Sequence, residues 1–343
     1  MFSQKNLRIF SGSSHPALAG AIAKALHVPL SKMQISKFAC GEIYAKPDIT
    51  VRGMDVFLVQ TCTGNVNEDY IELFIMIDAL KRSFARKVHV VIPHFGYARQ
   101  DRVATPREPI SAKLMASLIA AAGADHVISI HFHSDQTQGF FPFPMDNLKT
   151  KRLFADYLRK KKLKNAVIVA PDAGAAKESG RLAAFLDMPL AILTKERPAF
   201  NVAEVTSVVG DVKGKTCIVV DDMVDTAGSV CAAHAALLKK GANKDIYLMS
   251  THAILSGLAV DRLKKIKFKE VIVTDTVPLK EEKQFPGLKV LSVAPMLAKV
   301  IQCVHEDKSV TDATGKYTLV PITPGFHSKK RSASILKDKD TRG

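Results

Sequence analysis

The stretch Cys217–Ser229, CIVVDDMVDTAGS, indicates the fold of this chain more strongly than any other segment. It begins with a β-branched apolar run, Cys217–Val220, that is typical of a buried parallel strand. Two adjacent carboxylates, Asp221 and Asp222, follow where that strand is predicted to end. Because open α/β sheets bind ligands at the carboxyl ends of their strands, these two carboxylates are candidates for a binding site.

The turn after this strand, Asp225–Ser229, consists mainly of small residues and precedes an Ala-rich helix. A helix N-terminus after a glycine-containing turn presents unpaired N–H groups to an anion, and Thr226 and Ser229 add hydroxyl donors. The segment therefore predicts a phosphate cradle beside two carboxylates that can accept hydrogen bonds from sugar hydroxyls. The plainer alternative is an acidic turn that only caps a helix.

Short apolar runs alternate with helical patterns along the whole sequence. The segments predicted as strands are Leu7–Ser11, Asp55–Thr61, Val88–Pro93, His126–Ile130, Ala166–Ala170, Leu190–Thr194, Cys217–Val220, Asp245–Ser250, Val271–Thr274 and Leu288–Val293. The helical patterns between them include Ala17–Leu26, Tyr70–Phe84, Ser111–Ala122 and Arg152–Lys162. This alternation predicts mainly parallel sheets with helices on both faces, and the strands are too many for one ordinary sheet.

We therefore predict two α/β domains with a boundary near residue 150. The first domain spans residues 1–150 and the second spans residues 151–305. A C-terminal extension covers residues 306–326, and the polar, basic tail 327–343 is expected to be disordered. The charged, proline-containing segment Gln100–Pro109 is expected to be a mobile loop.

The charge of the chain limits the classes of partner. Lys and Arg number 49 against 33 Asp and Glu, which gives a net charge of +16 and attracts polyanions. The excess lies in local clusters with little aromatic interleaving, and no nucleic-acid-binding motif is present. Phosphorylated small molecules are therefore the expected anionic partners, and nucleic acid is not expected.

The apolar runs and the cysteines indicate the compartment. No apolar run approaches the roughly 18 residues of a membrane span, and the N-terminus lacks the long apolar stretch of a signal peptide. The 5 cysteines are widely spaced and form no CxxC pair, which argues for a reducing compartment and against a disulfide framework or zinc site. We expect a cytoplasmic protein that does not associate with a membrane.

Two further polar groups follow predicted strands in the first half of the chain. Phe95–Arg102 combines two aromatic side chains with two arginines, so Phe95 or Tyr97 could stack on a base while Arg99 clamps phosphates. An ordinary basic loop is an equally good reading. His131 and His133 occupy positions i and i+2, which face the same side of a strand and could share a ligand or a metal. The alternative is that both histidines are ordinary polar residues at a strand end and bind no ligand.

The second half of the chain has two such groups besides the acidic turn. Asp172 follows the predicted strand Ala166–Ala170 and precedes small residues. Lys195 and Arg197 flank a carboxylate directly after the predicted strand Leu190–Thr194. Taken alone, this last group is better explained as a solvated charge cluster.

Together, and in this order, the motifs resemble the class I ribose-phosphate pyrophosphokinases, also called phosphoribosyl pyrophosphate synthetases. The resemblance covers about residues 7–305, and is carried by Phe10–His15, Phe95–Arg102, Pro109–Lys113, Gln138–Phe141, Asp172–Gly174, Lys195–Arg197 and Asp221–Ser229. It implies two type I phosphoribosyltransferase-like domains. It also implies a ribose-phosphate diphosphokinase reaction, in which the 1-hydroxyl of ribose 5-phosphate attacks the β-phosphorus of MgATP. The products are AMP and phosphoribosyl pyrophosphate for nucleotide biosynthesis.

The resemblance also implies roles for individual residues. ATP would be bound by Phe38, Glu42, Arg99, Gln100, Asp101 and Arg102. Ribose 5-phosphate would be bound by Asp221, Asp222, Asp225, Thr226, Ala227, Gly228 and Ser229. Catalysis would involve Arg99, His133, Lys195 and Arg197. Mg²⁺ would be held by His133 and Asp172, with His131, Asp221 and Asp222 as further candidates. Phe38 and Glu42 would reach the adenine of a neighbouring subunit, which implies a homo-oligomer of dimers assembled into a hexamer.

Several positions depart from the family pattern. His131 stands where the family usually has Asp, and Cys40 where it has Asn or Asp. Pro142 replaces an acidic residue, and Val103-Ala104 replaces a more charged run. His131 and the neutral loop leave open a synthetase-like regulatory subunit that binds nucleotides without catalysis, whereas the intact Lys195 and its neighbouring motifs favour an active enzyme. A phosphoribosyltransferase is the third possibility, although such an enzyme would not need the segment Phe95–Arg102 for ATP.

Overall fold

The computed structural model describes residues 5–196 and 205–311, and these form two mainly parallel sheets flanked by helices. The strands of the first half are β1 (Leu7–Ser11), β2 (Leu30–Ser31), β3 (Met33–Lys37), β4 (Ile43–Pro47), β5 (Asp55–Val59), β6 (Lys87–Ile92), β7 (His126–Ile130) and β8 (Met145–Leu148). Its helices are α1 (Pro16–Ala25), α2 (Val66–Arg82) and α3 (Ser111–Ala122).

The second half begins with helix α4 (Lys151–Lys161) and contains the second sheet. Its strands are β9 (Ala166–Ala170), β10 (Leu190–Glu196), β11 (Val205–Val209), β12 (Thr216–Val224), β13 (Tyr247–Ala253), β14 (Glu270–Thr274) and β15 (Leu288–Leu291). Its remaining helices are α5 (Ala176–Leu186), α6 (Gly228–Lys239), α7 (Ala259–Ile266) and α8 (Ala294–His305).

The strand order in each sheet fits the predicted fold class. The first sheet has six strands in the order β2-β1-β5-β6-β7-β8, all parallel. The second has seven strands in the order β11-β10-β9-β12-β13-β14-β15, and only β11 runs antiparallel to its neighbour. Strands β5 and β9 are buried at every residue, because helices cover both faces of each sheet and exclude water from the apolar runs DVFLV and AVIVA. The predicted α/β architecture is confirmed.

Several strands were not predicted from the sequence. Strands β3 and β4 form an antiparallel hairpin outside both sheets, and their residues are exposed or half-buried, so the pattern of a buried strand is absent. Strand β2 has only 2 residues, and β8 has the largely polar sequence MDNL. Strand β11 lies at the edge of the second sheet.

Strand β12 is longer than predicted, and this corrects the position of the two carboxylates. It pairs with β9 only up to Val219, but continues to pair with β13 as far as Val224. Asp221 and Asp222 therefore lie within the strand rather than after it. They occupy the part of β12 that extends beyond its neighbour β9, which leaves one side of the strand open to a ligand.

The last described helix, α8, packs against the first half of the chain. Its buried residues Leu297 and Ile301 share one apolar cluster with Leu18 and Ile22 of α1 and with Ile9 of β1. The segment 151–305 therefore contributes to the cores of both halves. The division at residue 150 remains a prediction, and most of the predicted extension and the whole predicted tail lie outside the described residues.

Gly12, directly after β1, lies in a closely packed position. Its N–H donates to the carbonyl of Val59, and a Cβ at this position would collide with the side-chain amide of Gln60 and lie 2.7 Å from Cε of Met76. Gln60 is buried, so it cannot move away cheaply. We expect Gly12→Ala to lower the free energy of unfolding by about 1–3 kcal/mol in urea denaturation.

Gly20 on α1 provides the matched control. A Cβ there would meet nothing within 4 Å, so Gly20→Ala should raise the free energy of unfolding by up to about 1 kcal/mol through helix propensity. Equal effects of the two substitutions would contradict the packing argument.

Candidate functional site

The carboxyl ends of the two sheets face each other, and the loops that follow the strands meet in one cleft. Two contacts cross this cleft. An N–H of the Arg99 guanidinium donates to Oδ2 of Asp225 at 2.7 Å, and Nδ1 of His133 lies 2.7 Å from Oδ2 of Asp222. Arg99 and His133 follow β6 and β7, whereas both aspartates belong to the segment quoted at the start. The structure thus brings together residues that are about 90 to 125 positions apart in the sequence.

A buried set of hydrogen bonds, which we call the seam, joins the sheets beside this cleft. His252 at the end of β13 lies at its centre. Its Nδ1 is 2.9 Å from Oγ1 of Thr276, and its Nε2 is 3.2 Å from the backbone oxygen of His131. Nδ1 of His131 is 2.7 Å from Oγ1 of Thr251, and Thr61 after β5 donates to the carbonyl of Thr276 at 2.7 Å. The seam therefore links strand ends of the first sheet to β13 and to the residues after β14.

Two further buried histidines extend the seam. The ring centroid of His94 lies 4.8 Å from that of His252, and Nε2 of His15 lies 2.8 Å from the backbone oxygen of Asp275. Burial lowers the pKa of all four histidines, to about 4 for His131 and well below the usual value for His252. They are therefore neutral near pH 7, and each ring can accept one hydrogen bond as well as donate one.

His131 and His133 do not face a common ligand. The prediction assumed an extended strand, in which positions i and i+2 share a face, but β7 ends at Ile130 and His131 has a φ of 51°. This left-handed conformation turns the ring of His131 into the seam, towards Thr251, while His133 turns towards Asp222. The departure from the family pattern at His131 thus coincides with a hydrogen bond between the two halves of the chain.

Asp221 and Asp222 form a half-buried carboxylate pair whose pKa values shift in opposite directions. Burial, together with the charge of Asp222, raises the pKa of Asp221 above its usual value. Burial also acts to raise the pKa of Asp222, but the hydrogen bond and charge of His133 outweigh it and hold this pKa below the usual value. The hydrogen bond to Asp222 in turn raises the pKa of His133. The pair therefore offers oxygen atoms both as proton donors and as acceptors for hydroxyl groups or for a cation.

The predicted phosphate cradle has the backbone geometry expected of it. Helix α6 begins at Gly228, and Ala227 before it has a φ of 62°, so the chain makes a tight turn into the helix. Among the described residues, no side chain caps the first N–H groups of α6. The turn is held in place by Arg262, which donates to the carbonyl of Thr226 at 2.7 Å. Gly228 and Ser229 are exposed.

The side of the cleft that belongs to the first sheet is partly as predicted. Gln100 is held at the start of α3, because Ser111 donates to its side-chain oxygen at 2.6 Å. Phe95 is not available to stack on a base: it is buried and packs in the core against Tyr70, Phe132 and Phe141. Asp101 is half-buried beside Arg102, which is exposed.

The hairpin β3–β4 carries the two residues that were predicted to reach a neighbouring subunit. Phe38 is 56% exposed, and its N–H donates to the carbonyl of Glu42 at 2.8 Å across the hairpin turn. Glu42 is also exposed. Cys40, which departs from the family pattern, lies in the same turn and is exposed.

Of the remaining predicted residues, the structure describes Asp172 fully and Lys195 only in its backbone. Asp172 follows β9 and accepts a hydrogen bond from the N–H of Ala175 at 2.9 Å. Lys195 lies in the last part of β10, but its side chain is outside the described part of the structure, and Arg197 lies entirely outside it. In residues 5–196 and 205–311, no three His, Cys, Asp or Glu side chains gather closely enough to hold a metal ion.

The sequence did not predict the seam. His94, His252 and Thr251 follow or end strands, but isolated histidines and threonines at such positions are common and carry no distinctive spacing. The signal that could have found them is their position at the carboxyl ends of parallel strands. The carboxyl edges of the two sheets have to meet if the sheets form one site, and polar residues at those edges would then lie close together.

Comparison with known proteins gives a consistent result. Residues 7–123 match the model of the N-terminal domain of ribose phosphate pyrophosphokinase, and residues 194–313 match that of the phosphoribosyl synthetase-associated domain. The chain is 45% identical over 310 residues to the ribose-phosphate pyrophosphokinase of Bacillus subtilis (strain 168), an alignment that covers 90% of this chain and 98% of that protein.

Two further relatives extend the comparison. The ribose-phosphate pyrophosphokinase of Caldanaerobacter subterraneus subsp. tengcongensis is 47% identical over 307 residues, covering 89% of this chain and 97% of the relative. The crystal structure of phosphoribosylpyrophosphate synthetase from Mycobacterium smegmatis is 43% identical and superposes with a TM-score of 0.84, covering 88% of this chain and 100% of that one. Among the described residues, no helix has the length and apolar character needed to cross a membrane.

The neutral histidines of the seam predict how stability depends on pH. Because the folded chain lowers the pKa of His131 and His252, the unfolded chain binds protons first as the pH falls below about 6.5, and stability is lost towards lower pH. Each such histidine should contribute a slope of up to about 1.4 kcal/mol per pH unit between about pH 6.5 and its folded pKa. Urea denaturation at pH 7, 6 and 5 measures this slope.

The variant His252→Gln isolates the contribution of one residue. Glutamine keeps polar atoms in the seam but cannot titrate, so the slope between pH 6 and 5 should be shallower than in the wild type by up to about 1.4 kcal/mol per pH unit. Identical slopes would show that protonation of His252 does not limit stability in acid, whatever the absolute stabilities of the two proteins.

Proposed function

The chain belongs to the ribose-phosphate pyrophosphokinase family, and we propose how its own residues carry out the activity of that family. The enzyme transfers the pyrophosphoryl group of ATP to the 1-hydroxyl of ribose 5-phosphate, giving phosphoribosyl pyrophosphate and AMP for nucleotide biosynthesis. The observation that best supports our assignment of residues is the pair of contacts across the cleft, Arg99–Asp225 and His133–Asp222. They place a basic loop of the first sheet against the predicted phosphate cradle of the second.

The ribose 5-phosphate site is proposed to lie at the end of β12 and the start of α6. The 5-phosphate would accept hydrogen bonds from the N–H groups and hydroxyls of residues 225–229, helped by the positive end of the α6 dipole. The ribose hydroxyls would bind Asp221 and Asp222. The opposite pKa shifts of these carboxylates support this role, since a hydroxyl can donate to the ionised carboxylate and accept from the protonated one.

ATP is proposed to bind on the side of the first sheet. Arg99 is 56% exposed and would leave Asp225 to bind phosphate oxygens, for which a planar guanidinium is well suited. Gln100, Asp101 and Arg102 follow it along the same loop. The exposed Phe38 and Glu42 on the hairpin are proposed to complete the adenine site of a neighbouring subunit, which would require a homo-oligomer, in the family pattern dimers assembled into a hexamer.

The transfer step depends mainly on positioning and on cations. The oxygen of the 1-hydroxyl attacks the β-phosphorus and its proton is released to solvent. The bond from this phosphorus to the α-phosphate oxygen breaks, and AMP leaves with that oxygen. Lys195 and Arg197 are proposed to stabilise the negative charge on the transferring group, because preorganised cations are worth most where charge develops. His133, held by Asp222, is proposed to act beside them.

Mg²⁺ is the proposed cofactor, and the residues present fit it. This ion prefers oxygen ligands and is usually held by one or two carboxylates together with substrate phosphates and water, so a cage of three protein ligands is not required. Asp172 would supply oxygens to the ion that rides on ATP, with His133 beside it. Asp221 and Asp222 would hold the ribose hydroxyls directly or through a second ion. When bound with ATP, Mg²⁺ would neutralise phosphate charge. Because His131 is engaged in the seam, we propose that it does not bind the ion directly.

The 5 cysteines are all free, including the buried Cys62, Cys217 and Cys303, and we propose that the enzyme works in the reducing cytoplasm. We also propose that each sheet with its helices is one phosphoribosyltransferase-like domain, with α8 completing the first.

The carboxylate pair tests the assignment of the ribose 5-phosphate site. Combining Asp221→Asn with Asp222→Asn removes the negative charge that would hold the sugar hydroxyls, so the KM for ribose 5-phosphate should rise by about 10- to 100-fold. ATP affinity, measured by calorimetry, should change little. The control Asp187→Asn replaces an exposed aspartate at the end of α5 and should leave both values unchanged. Lost ATP affinity with normal ribose 5-phosphate binding would reverse the assignment of the two sites.

Lys195 tests the proposed transfer step. Removing one preorganised cation should cost about 3–4 kcal/mol in the transition state, so Lys195→Ala should lower kcat by roughly a hundred- to a thousandfold, as measured by AMP formation. The control Lys24→Ala removes an exposed lysine of α1 and should have no effect. Near-normal turnover of Lys195→Ala, with an unchanged unfolding curve, would exclude Lys195 from the mechanism.

A further inference from the structure

The edge of the second sheet where its strands begin carries a row of lysines that the activity does not use. Four strands that are neighbours in this sheet, β9, β12, β13 and β14, are each preceded by a segment with two lysines. We call these eight residues the lysine edge: Lys162, Lys164, Lys213, Lys215, Lys240, Lys244, Lys267 and Lys269. The last turns of helices α6 and α7 add Lys239, Lys264 and Lys265.

Hydrogen bonds hold these segments side by side. The side-chain N–H of Asn165 donates to the carbonyl of Gly214 at 3.2 Å, and the N–H of Gly214 donates to the carbonyl of Gly241 at 2.7 Å. The next contacts are from the N–H of Asn243 to the carbonyl of Lys215 at 2.9 Å and from the N–H of Lys269 to that of Ile246 at 2.8 Å. The lysines are therefore carried by one continuous, ordered surface.

Few carboxylates neutralise this surface. Lys215 pairs with Asp211 at 3.1 Å and Lys269 pairs with Asp245 at 3.4 Å. Within residues 5–196 and 205–311, the other six members of the lysine edge have no carboxylate within ion-pair distance, and all six are exposed. Like charges carried on neighbouring strand starts repel one another, so an anion that bridges them would be attracted.

We propose that the lysine edge binds the phosphodiester backbone of a nucleic acid without preference for its sequence. Neighbouring strands lie about 4.8 Å apart, so the four segments span about 15 Å, which matches a short run of phosphates along a chain. Lysine is a compact point charge suited to phosphate, whereas base recognition usually employs arginine or aromatic side chains. This proposal departs from the expectation drawn from the sequence, because binding through the phosphate backbone alone needs no nucleic-acid motif.

The apolar residues of the same segments argue against a membrane or an acidic protein as the partner. Val212, Ile246 and Phe268 are buried in the core and do not project from the surface. Leu238, in the last turn of α6, is 40% exposed, but within the described residues of these segments it has no exposed apolar neighbour. A single side chain is not the apolar cluster that anchors a helix in a bilayer or dominates a protein interface.

Binding at this edge would be compatible with catalysis. The proposed substrate cleft lies at the carboxyl ends of the same strands, and β9, with 5 residues, spans about 17 Å. The proposal therefore does not depend on the assignment of the substrate sites.

The test compares two variants of the full chain that carry the same net charge. One combines Lys162→Gln, Lys164→Gln, Lys213→Gln and Lys267→Gln. The control combines Lys5→Gln, Lys24→Gln, Lys87→Gln and Lys299→Gln, which removes four exposed lysines elsewhere. Fluorescence anisotropy measures the binding of a labelled 20-nucleotide uridine RNA, and of DNA of the same length, at 50 to 200 mM salt. AMP formation shows that both variants fold and react.

We expect the wild type to bind both oligonucleotides with a strong salt dependence. The edge variant should bind at least about tenfold more weakly at 50 mM salt, and the slope of log K against log salt should fall by about 2 to 3, as expected for the loss of four phosphate contacts. The control variant should stay within about twofold of the wild type, and AMP formation should be normal in both.

Three results would overturn the proposal. Equal weakening of both variants would mean that binding follows net charge or the basic tail rather than the lysine edge. The absence of binding by the wild type at 50 mM salt would exclude the surface altogether. Binding to vesicles rich in anionic lipid, without binding to RNA or DNA, would assign the lysine edge to a membrane.

Discussion

The need to pair every buried polar group at the junction of the two sheets determines the geometry of this enzyme. His252 is 2% exposed and is held by Thr276 and by the backbone of His131, so shifting one sheet relative to the other would leave its ring nitrogens unpaired. Leaving a buried polar group unpaired costs about 1–3 kcal/mol. The seam contains several buried polar groups that would incur this cost if the sheets shifted. The seam thus specifies one mutual placement of the carboxyl edges, and the distances between functional side chains across the cleft follow from it.

With the two sheets held in this placement, two pairs of cleft residues neutralise each other's charge. Arg99 pairs with Asp225, and His133 pairs with Asp222, before any substrate is considered. If Arg99 binds phosphate as proposed, its guanidinium would exchange Asp225 and part of its hydration for phosphate oxygens, because its side chain is 56% exposed. Asp225 would then keep its hydrogen bond with Ser256 but lose the neighbouring charge of Arg99. Under the proposed assignment, occupancy of one substrate site would therefore alter the charge at the other without a large change of fold.

Much of the fold was predictable, because a parallel sheet covered on both faces produces continuous apolar runs such as Ala166–Ala170. The tight turn into α6 was predictable for a related reason, because small residues after a buried strand favour such a turn. The hairpin that carries Phe38 was missed, since it packs outside the sheets and lacks a buried face. The seam was missed because its histidines are isolated in the sequence, and their partners are known only once the strand ends of the two sheets have been brought together. The turn of His131 away from His133 likewise depends on a left-handed residue that spacing alone does not reveal.

Parallel strands also explain why two kinds of charge occupy opposite edges of the second sheet. Its carboxyl edge collects the starts of helices, whose positive dipole ends suit the phosphate of a substrate, and here the carboxylates Asp221 and Asp222 balance them. Its amino edge collects the ends of helices, whose negative dipole ends are stabilised by lysines such as those that close α6 and α7. Helix-end lysines alone would satisfy that requirement. Lys162 and Lys267 are the C-cap residues of α4 and α7, so they also serve these helix ends. Lys164 and Lys213 lie outside the helix ends and are exposed, so the proposed external polyanion would account for them.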